Sequence, residues 1–263
     1  MSSLTVLLDC IKTQKDCPQA QKQALVALAH LCMENGEVCE RLQYKGGLMA
    51  ILHLAVFTKH LEVQQAALYT LSCAAQINRA CQSRLCIPQV FAFLQSKLSD
   101  QHSLPEVKRT AAFLANCLAS NNKENQYLCS GTFAPIVKLL KDGCISQAVR
   151  PICYYLGMVI SNNTRGLQLI HQLKTVPLMV QLLSMNLQDS QLQLQVLLTI
   201  LHLTEMNKEI QQQLVSAGGL SVVLHSMARN HSAEYNKAAT YLLKTCVHLV
   251  RNYYLIHEFH KMT

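Results

Sequence analysis

Residues 62–77, EVQQAALYTLSCAAQI, read as one long helix in which Leu71 stands two residues before Cys73 and Ala67 six residues before it. The same arrangement occurs six times along the chain. Leu28, Leu71, Leu114, Leu156, Ile200 and Leu242 each precede a marker by two residues, the markers being His30, Cys73, Asn116, Met158, His202 and Lys244. Successive markers lie 43, 43, 42, 44 and 42 residues apart. Six residues before each marker comes a small or β-branched residue: Ala24, Ala67, Thr110, Ile152, Val196 and Ala238. A helical unit repeated at a fixed period cannot bury its apolar face alone and gains a core only by stacking on its neighbours.

Working outward, each unit reads as a short helix, a second helix and the long third helix. The third helices fall near residues 18–33, 62–77, 106–119, 147–160, 190–204 and 233–249. Pro18 and Pro105 stand where helices begin, a position that tolerates proline because the first N–H groups have no intrahelical acceptor. Asp189 and Ser232 fit as N-caps of the fifth and sixth long helices. Polar segments such as NKEIQQQLV (207–215) read as short helices, followed by turns at Gly46-Gly47, Gly131-Thr132 and Gly218-Gly219. Second helices are then expected at 47–55, 88–98, 133–141, 176–185 and 220–228.

A period of about 40–47 helical residues marks armadillo or HEAT arrays, and the Gly-Gly turn before a leucine-rich helix resembles the armadillo repeat. The expected fold is all-α, a right-handed superhelical armadillo solenoid of about six units forming a single array over 1–263. The units lie near 1–34, 35–78, 79–121, 122–162, 163–206 and 207–250, with 251–263 an incomplete terminal helix. The first unit lacks its short helix, as a cut amino-terminal cap would. In the fourth, Pro151 lies inside AVRPICYYLG (148–157) and predicts a helix that starts late, near Arg150, the alternative being a bend there. Stacks of this kind present a long surface to other proteins and have no enclosed cleft by default.

The chain has 263 residues, 50% of them hydrophobic, which suffices for a core without metal or disulfide support. Its 12 cysteines contain no C-x-x-C pair, and spacings such as Cys32–Cys39 and Cys81–Cys86 fit no zinc pattern. Cys73, Cys117 and Cys153 fall on apolar helix faces, so packing is the expected role, with free thiols in a reducing compartment. The sequon at Asn162 is then irrelevant. The amino-terminal MSSLTVLLDCIK has too short an apolar stretch and no basic leader for a signal peptide. No run reaches the roughly 20 apolar residues of a membrane span. The net charge of +8 is scattered, which argues against direct DNA binding or a polybasic membrane patch and favours acidic partners mildly.

Neither a phosphate-binding glycine loop nor a nucleophile elbow occurs. The five aspartates, Asp9, Asp16, Asp100, Asp142 and Asp189, lie at helix ends or in loops. His257 and His260 have no third ligand nearby, so no metal site, cofactor or catalytic residue is assigned. The markers say more. Armadillo proteins that clamp extended peptides typically carry Asn at the marker and Trp one turn earlier; here only Asn116 keeps the Asn and the chain has no Trp. A nuclear-import adaptor is therefore not expected. One and two turns before the markers stand Lys22, Gln65, Tyr69, Lys108, Arg150 and Tyr154. Together with Asn116, His202 and Lys244 they form a candidate groove for acidic or helical partner segments. The alternative is a merely solvated helix face. Tyr253, Tyr254 and Phe259 form a candidate terminal interface, the alternative there being a frayed end.

Several stretches are similar to one family. GGLMAILHLA (46–55), AALYTL (66–71), CQSRLC (81–86), ENQYLC (124–129), RPICYYLGMVISNNT (150–164) and NKAATYLL (236–243) resemble the telomere repeats-binding bouquet formation protein 1 family. Its members are meiotic factors with an armadillo array, a long tail and a terminal Myb-type domain. The resemblance implies a non-enzymatic scaffold in the nucleus, at telomeres and the inner nuclear envelope, attaching chromosome ends to the membrane in prophase I. It implies as partners the telomere-attachment subunits and a shelterin telomere-binding protein, with membrane contact only through them. The family's partner sites lie in the tail, and this sequence ends at Thr263, which suggests a short isoform, a fragment or a divergent relative. The rival expectation is a general cytosolic or nuclear armadillo adaptor.

Overall fold

The computed structural model describes residues 3–100, 102–120, 123–142, 149–150, 152–153, 155–157, 164–185, 189–205, 207–229 and 232–262. Among the described residues the amino-terminal part holds the helices α1 (Ser3–Thr13), α2 (Pro18–Glu34), α3 (Gly36–Tyr44), α4 (Gly47–Phe57), α5 (Leu61–Ile77), α6 (Arg79–Leu85), α7 (Pro88–Ser99), α8 (Pro105–Ala119), α9 (Lys123–Leu128) and α10 (Phe133–Lys141). A 3₁₀ turn, Cys129–Thr132, joins the last two. Further on come α11 (Thr164–Gln172), α12 (Thr175–Met185), α13 (Ser190–Thr204), α14 (Lys208–Ser216), α15 (Gly219–Met227) and α16 (Ala233–Met262). The chain divides into two compact units, Met1–Tyr155 and Leu156–Thr263.

In the first unit the long helices α2, α5 and α8 stack side by side, and α4 and α7 pack across α5 and α8 respectively. In the second, α13 packs on α12 and α16, and α15 on α12 and α16. The repeated leucine position explains the stacking. Leu28, Leu71, Leu114, Leu156, Ile200 and Leu242 are all 0% exposed, and full burial of such a side chain is worth about 1.5–3 kcal/mol. The small residues six before the markers are buried too, from Ala24 to Val196, so helices approach closely. Ala238 is half-buried instead, and Ala239 beside it takes the buried place.

Polar side chains lock the ends of these helices. Gln21 Nε2 donates to the Ile11 carbonyl at 2.8 Å, and Gln64 Nε2, 43 residues on, donates to the Ala55 carbonyl at 2.8 Å. Each ties the start of a long helix to the end of the preceding one and satisfies an otherwise orphan carbonyl. Gln82 Nε2 reaches the Cys117 carbonyl at 2.8 Å, and Thr70 Oγ1 donates to the Leu25 carbonyl of the neighbouring long helix at 2.9 Å.

Asn35 and Asn78 each end one helix and start the next, and Asn207 starts α14. Asn35, Asn78 and Asn207 have extended backbones, and their side chains accept from the N–H groups of Glu37, Cys81 and Ile210. Asp189 caps α13 in the same way, accepting from Leu192 N at 2.9 Å. The Gly-Gly turns divide their labour. Gly46 and Gly218 have φ of +68° and +70°, which only glycine adopts freely. At Gly47 an added Cβ would lie 2.5 Å from Leu42 Cδ1, and at Gly219 it would lie 2.2 Å from Leu214 Cδ1. The corresponding turn before α12 uses Lys174, with φ of +51°, where the pattern predicts glycine.

The largest departure from expectation is at the carboxy end. Residues 251–262 continue α16 rather than opening a new short helix. Between Ala233 and Met262 there is neither Gly nor Pro to interrupt the helix. Pro151 lies outside the described residues, with 149–150 helical before it.

Candidate functional site

The long helices of the first unit enclose a groove of about 670 Å³. Lys22 and Val26 of α2 form one wall, Glu62, Gln65 and Tyr69 of α5 the floor, and Arg109 and Phe113 of α8 the other wall. Stacking sets these positions: the leucines turn one face of each helix inward, which on α2 and α5 leaves the positions one and two turns before the marker, Val26, Lys22, Tyr69 and Gln65, facing the groove. Lys22 Nζ donates to Glu62 Oε2 at 2.6 Å across the α2–α5 seam. That hydrogen bond, with the ammonium charge behind it, holds the Glu62 carboxyl below the usual carboxylate range.

Tyr69 stacks on Phe113 with ring centroids 6.4 Å apart and planes at 28°, an offset arrangement that favours aromatic pairs. The Tyr69 hydroxyl donates to Met33 Sδ at 3.7 Å, and burial pushes its pKa up despite the Arg109 charge nearby. Arg109 is half-buried and its Nε has no hydrogen-bond partner among the described residues. Asn116, the marker of α8, is buried, and its Oδ1 likewise has no partner. An aromatic shelf, a half-buried guanidinium and an ion pair can hold a polypeptide segment that offers carbonyl or carboxylate oxygens.

The structure brings together Lys22, Gln65 and Tyr69 of the expected groove residues. Lys108 goes elsewhere. It lines a smaller recess with Ser99, Pro135, Lys138 and Asp142, on the flank of α8 that faces α10. The groove takes Arg109 instead, because a helix in a stack has two flanks and neighbouring residues lie about 100° apart on it. Arg150, His202 and Lys244 are exposed, and His202 lies against Gly157, whose added Cβ would sit 3.4 Å from its ring. Tyr154 lies outside the described residues, as do the side chains of Tyr253, Tyr254 and Phe259. Sequence reasoning missed Glu62, Arg109 and Phe113. Phe113 follows Tyr69 by 44 residues, close to the repeat period, and that was the available signal.

The cysteines pack. Cys73, Cys117 and Cys153 are buried and every described cysteine is a free thiol. Burial pushes Cys117 and Cys129 up to about 12. Among the described residues no three metal-ligating side chains cluster, and no helix is long and apolar enough to cross a membrane.

No protein-family model matches the chain. It is similar to a designed armadillo repeat protein in complex with the peptide (KR)4, with a TM-score of 0.79 at 21% identity, covering 93% of this chain and 100% of that one. It is similar also to computationally designed armadillo repeat proteins for modular peptide recognition, with a TM-score of 0.78 at 20% identity, covering 92% and 99%. These likenesses establish the fold as an armadillo array. In sequence the chain is 25% identical to telomere repeats-binding bouquet formation protein 1 of Danio rerio, over 93% of this chain and 43% of that protein. The Homo sapiens protein of the same name is 25% identical over 93% of this chain and 49% of its own length. The Danio alignment runs over 351 positions against a chain of 263 residues, so the relative carries extra residues inside the matched span. The chain is thus an all-α armadillo-repeat relative of telomere repeats-binding bouquet formation protein 1, and it spans less than half the length of the curated relatives it matches.

Proposed function

We propose that the chain is a non-enzymatic scaffold of the meiotic assembly that attaches telomeres to the inner nuclear membrane, and that the groove between α2, α5 and α8 receives a partner segment. The observation that carries the reading is the groove itself. Three successive long helices place Lys22, the Tyr69–Phe113 pair and Arg109 side by side. Similarity over nearly the whole chain to proteins named for telomere bouquet formation supports the nuclear, meiotic setting. The excess of basic over acidic residues favours acidic or helical segments as ligands. Membrane contact and telomere contact run through partners in this reading, since no residue here is assigned to DNA.

The test is affinity purification of the full chain from meiotic germ cells with mass spectrometry, comparing wild type with Arg109→Glu. Telomere-attachment proteins should co-purify with the wild type and be depleted with the variant. Recovery of unrelated partners only would favour a general adaptor. Equal recovery by both proteins would move the site off this groove.

A further inference from the structure

A second cavity, of about 630 Å³, lies at the carboxy ends of α1 and α4 and shares no lining residue with the groove. Its floor is apolar, made of Ile11, Leu54 and the ring of Phe57, which is 68% exposed and packs on His53 at 4.5 Å between centroids. Its rim carries Lys12, Lys15, Lys59 and His60, all exposed, and no carboxylate lines it. None of the three lysines pairs with a carboxylate among the described residues.

Compensation of helix ends explains only part of this. Lys12 sits in the last turn of α1, where a cation offsets the carbonyl end. Lys15 lies beyond α1, and Lys59 and His60 lie between α4 and α5, outside both helices. The carbonyl of Ile11 is already satisfied by Gln21. Unpaired like charges gathered around an exposed aromatic ring raise each other's energy, and an acidic ligand would relieve that.

We infer that this cavity docks an acidic protein segment carrying one apolar side chain, the apolar group resting on Phe57 and Leu54 and the flanking carboxylates on Lys12, Lys15 and Lys59. The volume lies within the roughly 300–1,000 Å³ range of pockets that hold small groups. A nucleic-acid backbone would meet the lysines but leave Phe57 and Leu54 in water, so the apolar floor selects a peptide. The inference is independent of the groove and of the meiotic setting.

The probe is an end-blocked peptide of glutamates flanking one phenylalanine, titrated into the full chain at low salt and followed by fluorescence anisotropy. Saturable binding is expected, weakened about tenfold or more in the double variant Lys12→Glu/Lys59→Glu and less in Lys12→Gln/Lys59→Gln. Phe57→Ser should also weaken it, and Arg84→Glu, exposed on α6 and lining neither cavity, should leave it unchanged. Thermal midpoints matching wild type establish that these surface variants are folded. Absent binding, equal affinity in Lys12→Glu/Lys59→Glu, or equal binding of a peptide with glutamine for glutamate overturns the inference. So does a DNA duplex that binds more tightly than the peptide and is lost in the same variant.

Discussion

Leu71→Ala tests the stack at its centre. Leu71 is 0% exposed on α5, which packs against α2 on one side and α8 on the other. The substitution removes three carbons, forfeiting about 2.4 kcal/mol at about 0.8 kcal/mol per methylene. Both neighbouring helices are held in place by their own stacked contacts, so the site collapses little and a cavity term adds to the loss. The total is about 3–4 kcal/mol, within the span seen for buried Leu→Ala. For a chain of this length each kcal/mol moves the thermal midpoint by about 2–4 °C, so a fall of about 6–16 °C is expected by far-ultraviolet circular dichroism. Ile77→Ala, on the same helix but 45% exposed, is the control, and it should cost under about 1 kcal/mol. A midpoint for Leu71→Ala within about 2 °C of wild type, or an equal loss in the control, would refute the register of the repeat.

Lys174 holds a left-handed backbone where the equivalent turns use Gly46 and Gly218; Lys174→Gly should stabilise the protein by about 0.5–1 kcal/mol in urea unfolding. Cys117 and Cys129 titrate near 12 in the folded chain against an ordinary value of 9.0. The unfolded chain therefore loses these protons first, and their contribution, complete below pH 9, should fall away between about pH 9 and 12 in urea midpoints measured across that range. Buried Tyr155, also pushed up by burial, adds in the same direction. Alkylation of the native protein followed by mass spectrometry should label exposed Cys17 and spare Cys117 and Cys129 until denaturant is added.

The fold was legible because its signal is redundant. Six leucine positions at one period over-determine the long helices, and the Gly-Gly and Asn positions mark turns whose backbone demands those residue types. The side-chain locks were not legible. Gln21 and Gln64 recur 43 residues apart, yet glutamine on a helix usually faces water, and only the packed structure shows its amide reaching the end of the preceding helix. The carboxy end misled for a related reason. The repeat period sets 251–263 apart as an incomplete terminal helix, but no Gly or Pro stands between Ala233 and Met262 and the helix runs through that boundary. At the groove, counting back from the marker located Lys22, Gln65 and Tyr69. The same count chose Lys108 over Arg109, because it assigns every unit one outward face while the stack gives each helix two flanks.

That distinction decides where binding should concentrate. The leucines are buried and common to all units, so in the proposed reading recognition falls to the flank positions that the repeat leaves free. In the first compact unit these are Lys22, Tyr69, Arg109 and Phe113, which supply charge and aromatic surface within one groove. In the second unit the positions one and two turns before the markers are Leu194, Leu198, Asn236 and Thr240, none of them charged or aromatic. His202 and Lys244 are exposed there, but without neighbours of that kind among these four. A partner gripped through charge-assisted contacts should therefore respond to Lys22→Glu or Arg109→Glu with a loss of about 1–3 kcal/mol. His202→Ala and Lys244→Glu should change its affinity by no more than about 0.5 kcal/mol, as surface substitutions away from a site do. Isothermal titration of one partner segment against the four variants separates the cases. A larger loss in the Lys244 variant than in the Arg109 variant would place the working surface on the second unit and end the argument for the first.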